Sequence, residues 1–217
     1  MLNLEFLPTL LSATWVTIEI LAFAAPLAIV MAFILGLSRL SPIAILRLAA
    51  RMIVEFLRGV SALILLFWLF FVLPLLGLSL PPKVCAVVAL GLSAGSYGAE
   101  IVRGAIIAIP QVQREAATAL NFTPVQRMFL ILIPQALVGM LPPFGNLLIE
   151  LLKSTSLVAM VTIADLTFRA VQLNATYLRT VEVFSLVLAI YFVLALSITG
   201  LVRLLEWRLG RFRTTYR

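Results

Sequence analysis

The chain has 217 residues, 63% of them hydrophobic and 12% charged, with a mean hydropathy of +1.17. Soluble domains hold about 45–50% apolar and about 25% charged residues, so a soluble single domain is excluded, and disorder, which needs low hydrophobicity and high charge density, is excluded with it. The formal charge is +7, with no histidine and one cysteine, Cys85. That removes Ser-His-Asp and Cys-His catalysis, a histidine metal cluster and any intramolecular disulfide. No cofactor or metal is expected.

The composition is that of an all-α polytopic membrane protein, and five apolar stretches are long enough to cross about 30 Å of hydrocarbon. The first runs over residues 10–37 with Glu19 as its one charge, and Ser41-Pro42 breaks the chain after it. The second covers 53–73 and is closed by Pro74 and Gly77. The third starts after Pro81-Pro82 and covers 83–109, closed by Pro110. The fourth is expected to start at Pro142-Pro143 and cover 142–163, and the fifth to cover 183–205.

Charge placement orients these spans. Residues 1–9 hold no Lys or Arg, whereas Arg203, Arg208, Arg211, Arg213 and Arg217 crowd the end of the chain, and Arg39, Arg47 and Arg51 crowd the first gap. Basic residues favour the cytoplasmic side. Five crossings then put the N-terminal segment 1–9 outside and the basic tail 207–217 in the cytoplasm, with Arg114 and Arg127 also inside and Lys83, Arg169 and Arg179 outside. The first run lacks the basic n-region and cleavage site of a signal peptide, so it is read as a retained span. Charges beside spans offer no soluble face for nucleic acid, and none is expected as a partner.

The segment 110–134 is too polar at its start to be embedded. Gln113 to Leu120 reads as a short helix, Asn121 as its left-handed stop, and Thr123-Pro124 as the cap of a second short helix. A pair of helices on the cytoplasmic side is either a docking surface or an ordinary connection.

Ionisable groups inside a span are expensive and mark functional sites by default. Glu150 and Lys153 lie one turn apart in the fourth span, with Ser154 and Thr155 next. Glu150 could meet the ammonium of a small zwitterion and the two hydroxyls its carboxylate, or Glu150 and Lys153 could simply neutralise each other. Glu19 either faces a path or a partner, or makes an interhelical bond. Glu55–Arg58 and Glu100–Arg103 have the spacing of structural i, i+3 pairs. Gly91, Gly95 and Gly98 give the third span a face for close helix approach. Trp15, Trp68 and Trp207 read as interfacial anchors.

The segment around Glu115 resembles the transmembrane subunit of binding-protein-dependent ABC importers. Glu115-Ala116-Ala117, Asn121 and Ile131-Leu132-Ile133-Pro134 keep every spacing of that family's cytoplasmic motif, with Asn121 in place of Gly and Ile133 in place of Leu. Asn tolerates the left-handed backbone best after glycine. Glu55-Phe56-Leu57-Arg58-Gly59, Tyr97-Gly98-Ala99-Glu100-Ile101-Val102-Arg103-Gly104, Pro134-Gln135-Ala136 and Leu151-Leu152-Lys153-Ser154-Thr155-Ser156-Leu157 are similar to the subgroup that carries polar amino acids and opines. Val60-Ser61 stands where that subgroup has Thr-Pro, and Val138-Gly139 where it often has two arginines.

The resemblance implies a permease of the bacterial cytoplasmic membrane that hydrolyses nothing itself. A separate cytoplasmic ATPase would seat the helix carrying Glu115, Ala116 and Ala117, with Asn121 at its turn. A second permease subunit would complete the path, expected to be a homologous but different chain, though an identical one is open. A solute-binding protein would deliver a small-molecule substrate from outside, and lipid would surround the spans. The alternatives are the same machine carrying methionine or a metal complex, a scaffold that recruits a partner without transport, and a lipid-acting enzyme using Glu100–Arg103 or Glu150–Lys153. No phosphate-binding loop of the Gly-Lys-Ser/Thr type occurs in the sequence.

Overall fold

A computed structural model describes residues 4–210. The last seven residues of the expected basic tail lie outside that range. Among the described residues every regular element is helical. After one tight turn at Leu4–Phe6 come α1 (Leu7–Ser38), α2 (Ala44–Gly59), α3 (Ala62–Phe67), α4 (Pro82–Ile107), α5 (Gln111–Ala119), α6 (Pro124–Gln126), α7 (Ile133–Ser154), α8 (Leu166–Tyr177) and α9 (Thr180–Gly210). Four helical runs are long and apolar enough to cross a membrane, at Leu7–Ser38, Pro82–Ile107, Pro124–Val161 and Thr180–Arg208.

The expected second span at 53–73 is corrected. α2 stops at Gly59, Val60 and Ser61 are extended, and the helix that resumes at Ala62 leaves at 98° to α2. Hydropathy runs on through this break because Phe56, Leu57 and Val60 are apolar, but α2 is not apolar all round. It buries Ala50, Val54 and Leu57 while Arg47, Arg51, Glu55 and Arg58 share another face. The traversing piece is α3, prolonged by a π turn at Trp68–Val72 and a 3-10 turn at Leu73–Leu76, and stopped by left-handed Gly77.

The expected start of the fourth span at Pro142-Pro143 is also corrected. Both prolines lie inside α7, and one helical run extends from Pro124 to Val161. The segment after the Thr123 cap is therefore not a second short helix but the foot of this run. A proline removes one N–H and crowds the carbonyl four residues back. Each of the two π turns, Trp68–Val72 and Arg127–Leu132, ends two residues before a proline, Pro74 and Pro134. Widening the turn there relieves the crowding without ending the helix. The carbonyl of Leu69, whose normal i+5 donor would be Pro74, instead lies 3.6 Å from the Cys85 thiol, which donates to it.

A further helix, α8, lies between the expected fourth and fifth spans. Its cap is Asp165, whose Oδ1 accepts from the Phe168 N–H at 2.8 Å.

Packing fixes the directions of the helices. Along α1 and α4, Leu27 meets Gly91, Met31 meets Gly95, Ala32 meets Gly98, and Gly36 meets Val102, so the two run parallel. A Cβ on Gly95 would sit 2.8 Å from the Met31 Cβ and 3.1 Å from the Ala28 carbonyl, which is why the seam needs glycine there. α3 descends beside α4 the opposite way, from Arg58 beside Tyr97 to Leu69 beside Cys85. α7 is antiparallel to α4, with Met140 in a cluster with Ile106, Leu147 against Gly98, and Leu151 in a cluster with Leu90. α9 begins with Val187 clustered on Leu10 and later lays Val202 on Gly145, so it runs with α1. Thus α1, α4 and α9 point one way and α3 and α7 the other. Large apolar residues remain exposed over much of this bundle, among them Phe23, Ile34, Leu188 and Leu196, as suits a lipid-facing perimeter.

Candidate functional site

Two charged layers bracket the bundle. At one end Glu100 of α4 collects three arginines. Its Oε2 accepts from Arg103 Nε at 2.9 Å, its Oε1 is bonded to Arg39 just beyond α1, and Arg58 of α2 lies 3.6 Å away. Arg58 also stacks over the Tyr97 ring, 5.3 Å from its centroid. The expected Glu100–Arg103 pair is present. The expected Glu55–Arg58 pair is not, because Arg58 turns toward Glu100, the carboxylate that already holds Arg39 and Arg103. At the other layer Lys83 Nζ lies 2.7 Å from Glu19 Oε2. Glu19 thus has its partner at the start of α4, which the linear sequence could not display.

The segment that follows α4 lies at the arginine end. α5 is tied down by Arg114, whose Nη2 donates to the Ile106 carbonyl at 2.8 Å, and by Arg127, whose Nη1 donates to the Thr118 hydroxyl at 2.9 Å. Ala117 is buried against the chain's own body, while Glu115 and Ala116 are exposed. Of the two alanines, only Ala116 is open to a partner. Glu115 accepts from Gln111 Nε2 at 2.9 Å, which holds the carboxylate on the exposed face. The helix ends in a Schellman turn: the Asn121 N–H donates to Thr118 and the Phe122 N–H to Ala117, with Asn121 at φ 58°. Thr123 then forms a capping box with Gln126. A groove of about 610 Å³ opens between α5 and the end of α4, lined by Gln111, Arg114, Glu115, Thr118 and Arg127 among others. Val112, Leu120 and Val125 stand exposed nearby.

The second place where predicted residues meet is a cleft between α3, α4 and α7. Glu150 and Ser154 line it with Ser93, Tyr97 and a rim of Ala62, Leu90, Ala94, Leu147 and Leu151. Its volume in this single chain is about 40 Å³, room for about one water. Glu150 and Lys153 are both exposed and form no ion pair with each other. The Ser154 hydroxyl donates to the Glu150 carbonyl at 2.9 Å. Thr155 is placed differently: it is fully buried and its hydroxyl donates to the Leu152 carbonyl at 2.6 Å, facing away from the cleft. In the sequence Tyr97 stands out only as part of a motif and Ser93 only as a small residue of α4. Their i, i+4 spacing, matched by Glu150 and Ser154 on α7, is the signal that would have joined the four.

The fold and these two features, a helical bundle of alternating direction with a tethered exposed helix at one end and a polar cleft in its flank, define a multi-pass membrane protein built to work with other chains. Residues 24–211 match the family model described as the binding-protein-dependent transport system inner membrane component, and the chain belongs to that family. It is 42% identical over 215 residues to a probable amino-acid ABC transporter permease, y4tF, of Sinorhizobium fredii, covering 96% of this chain and 90% of that one. It is 37% identical over 214 residues to the octopine transport system permease OccM of Rhizobium radiobacter, covering 92% and 85%. A solved structure of an amino acid ABC transporter with histidines superposes with a TM-score of 0.87 at 31% identity, covering 94% of this chain and 96% of that one. The chain is therefore an inner-membrane permease component of an ABC transporter.

Proposed function

We propose that this permease carries a polar amino acid or a similar small zwitterion inward, driven by a separate ATPase that seats α5. The observation that carries this reading is the exposed Glu115–Ala116 face, held rigidly between the Arg114 and Arg127 tethers and the Asn121 turn. A helix so fixed transmits a push into α4 and the Pro124–Val161 run instead of absorbing it. The amino-acid and octopine names of the relatives support the substrate class, since both substrates pair an ammonium with a carboxylate. Glu150 in the cleft supplies the anion for the first, and Ser93, Ser154 and Tyr97 supply hydroxyls for the second. Thr155 has no part in this, and Glu19 belongs to the outer charge layer.

The arginine end faces the cytoplasm by the positive-inside bias, and segment 1–9 lies outside. From Lys83 to Glu100, seventeen residues of α4 rise about 26 Å, and from Glu19 to Arg39, twenty residues along α1 rise about 30 Å. Both match the roughly 30 Å hydrocarbon slab, so the two charge layers mark its faces. The first turns of α1, the whole of α8 and the start of α9, which share a separate core around Leu10, Leu166 and Val183, then form an external cap on which a solute-binding protein would rest. A second permease closes the cleft. Because this chain carries Asn121 and Val138-Gly139 where its subgroup has Gly and an arginine pair, that second subunit is a different, homologous chain.

The test is co-purification with the neighbouring ATPase, comparing the native chain with Glu115→Arg. The native chain retains the ATPase and the variant weakens the complex by at least roughly tenfold, or about 1.4 kcal/mol. An ATPase bound equally by both, or by neither, overturns the reading.

A further inference from the structure

α2 meets the traversing helix at 98°, so if α3 runs along the membrane normal, α2 lies in the membrane plane. Both its ends sit at the level of the inner charge layer: it starts five residues after Arg39, and its last turn places Arg58 beside Glu100 and Tyr97. It has three distinct faces. Ala50 and Val54 pack inward with Leu35 and Ala99, and Leu57 is buried on the same side. Ile45, Leu48, Met52 and Phe56 project outward, each more than half exposed. Arg47 and Arg51 occupy the face between, both exposed. Arg47 donates only to the Ser41 carbonyl, at 3.0 Å, and Arg51 makes no hydrogen bond or ion pair among the described residues. The only acid on that face is Glu55, which pairs with neither. An in-plane helix with an outward apolar face and an unneutralised basic face has the character of an interfacial lipid-binding helix.

We infer that Arg47 and Arg51 of α2 form a binding site for anionic phospholipid headgroups of the arginine-side leaflet. The acyl chains lie along Ile45, Leu48, Met52 and Phe56, and the two guanidinium groups, able to bond phosphate oxygens in pairs, take the phosphodiester. The inference rests on the orientation given above but not on the identity of the transported solute. Because α2 joins Arg39 of α1 to Arg58 at the Glu100 cluster, a lipid held there braces the cytoplasmic layer from outside.

The experiment uses the complete complex, permease pair with ATPase, in nanodiscs of phosphatidylethanolamine and phosphatidylglycerol, released into native mass spectrometry to count retained lipid by headgroup. The native complex retains phosphatidylglycerol selectively. The Arg47→Gln/Arg51→Gln variant loses retention by roughly fivefold per arginine, the attraction expected of a basic group at an anionic leaflet. Arg169→Gln/Arg179→Gln, at the opposite end, does not. Arg51→Gln alone guards against misfolding, since Arg51 supports no bond in the fold, and it too lowers retention roughly fivefold. Equal retention by native complex and variants, or retention without headgroup preference, overturns the proposal. So does loss of the ATPase or second permease from the variants with lipid retention unchanged, which would show that a protein covers this face. An ATPase held equally by the native chain and Glu115→Arg would sink the coupling reading and leave this lipid readout unaffected, so the two readings fall separately.

Discussion

The α1–α4 seam and the α5 segment are built on opposite principles. The seam is a parallel helix pair without room for side chains at its closest points, with Gly36, Gly91, Gly95 and Gly98 each set against a neighbouring side chain or backbone, and pinned at its ends by Glu19–Lys83 and the Glu100 cluster. α5 buries one residue, Ala117, and is held by two arginine bonds and a turn. The seam is a strut whose parts are fixed by volume, and α5 is an arm fixed by polar tethers with one face left exposed. A transport machine driven by a separate motor needs both: an arm with an open face and firm tethers, and a strut stiff enough to pass the motion on.

The largest expected effect comes from breaking the strut. Gly95→Leu places a side chain where even a Cβ meets the Met31 Cβ at 2.8 Å and the Ala28 carbonyl at 3.1 Å. Overpacking of this kind costs about 3 kcal/mol. The permease should lose its monodisperse peak in detergent at a temperature well below the native chain's, while Gly139→Leu, where nothing lies within 4 Å of the added Cβ, should leave it unchanged. If both variants behave alike, close approach is not what holds α1 to α4.

A smaller loss is expected at the Glu100 pin. Glu100→Gln leaves Arg39, whose side chain is only 11% exposed, without its carboxylate. Removing one partner of a mostly buried charge group is destabilising. With Glu100 itself 25% exposed, the expected cost is about 2 kcal/mol, below the range for a fully buried pair. The same substitution at the opposite pin, Glu19→Gln, breaks a pair whose lysine is 52% exposed and should cost about 0.5 kcal/mol. Thermal stability of the two variants side by side checks the contrast, and an equal loss at both layers would remove the distinction between a buried pin and a rim pair.

The seam and the arm also differ in how far the amino-acid sequence reveals them. Spans one, three and five, the small-residue face of α4 and the stop at Asn121 were legible, because hydropathy, glycine spacing and cap residues are local signals. Three features were not. The break at Val60-Ser61 hides inside a continuous apolar stretch, and only the three-faced pattern of α2 betrays it. Pro142 and Pro143 read as a boundary because proline usually ends a helix, yet a run that is already helical and surrounded by other helices keeps them inside. The pairings of Arg39 and Arg58 with Glu100, and of Glu19 with Lys83, join residues forty or more positions apart, which no spacing rule reaches. In the candidate cleft the sequence supplied Glu150 and Ser154, but not that Thr155, one position on, faces inward to the Leu152 carbonyl.

The separate core around Leu10, Leu166 and Val183 offers a further test, through Asp165. It caps α8 from a fully buried position, beside Thr17, whose hydroxyl accepts the Leu166 N–H at 3.2 Å. Oδ1 is bonded to the Phe168 N–H, whereas Oδ2 is buried without a hydrogen-bond partner. Burial pushes the carboxyl up to about 6, against the opposing pull of the Phe168 and Thr167 donors. Its folded value therefore lies above the unfolded one of about 3.9, so between these values the folded protein binds more protons and its stability falls as pH rises. The contribution is full below about pH 4 and lost above about pH 6. Asp165→Asn keeps a competent cap and has no charge to bury. It should flatten the stability profile between about pH 4 and 6 and raise stability at neutral pH by about 1 kcal/mol, the relief of the buried charge being partly offset by the new amide N–H groups. Melting temperatures of native and variant complexes across that range check it. A native profile already flat there would mean that the carboxylate is solvated through Oδ2 and that the cap is more open than its buried core around Leu10 and Leu166 implies.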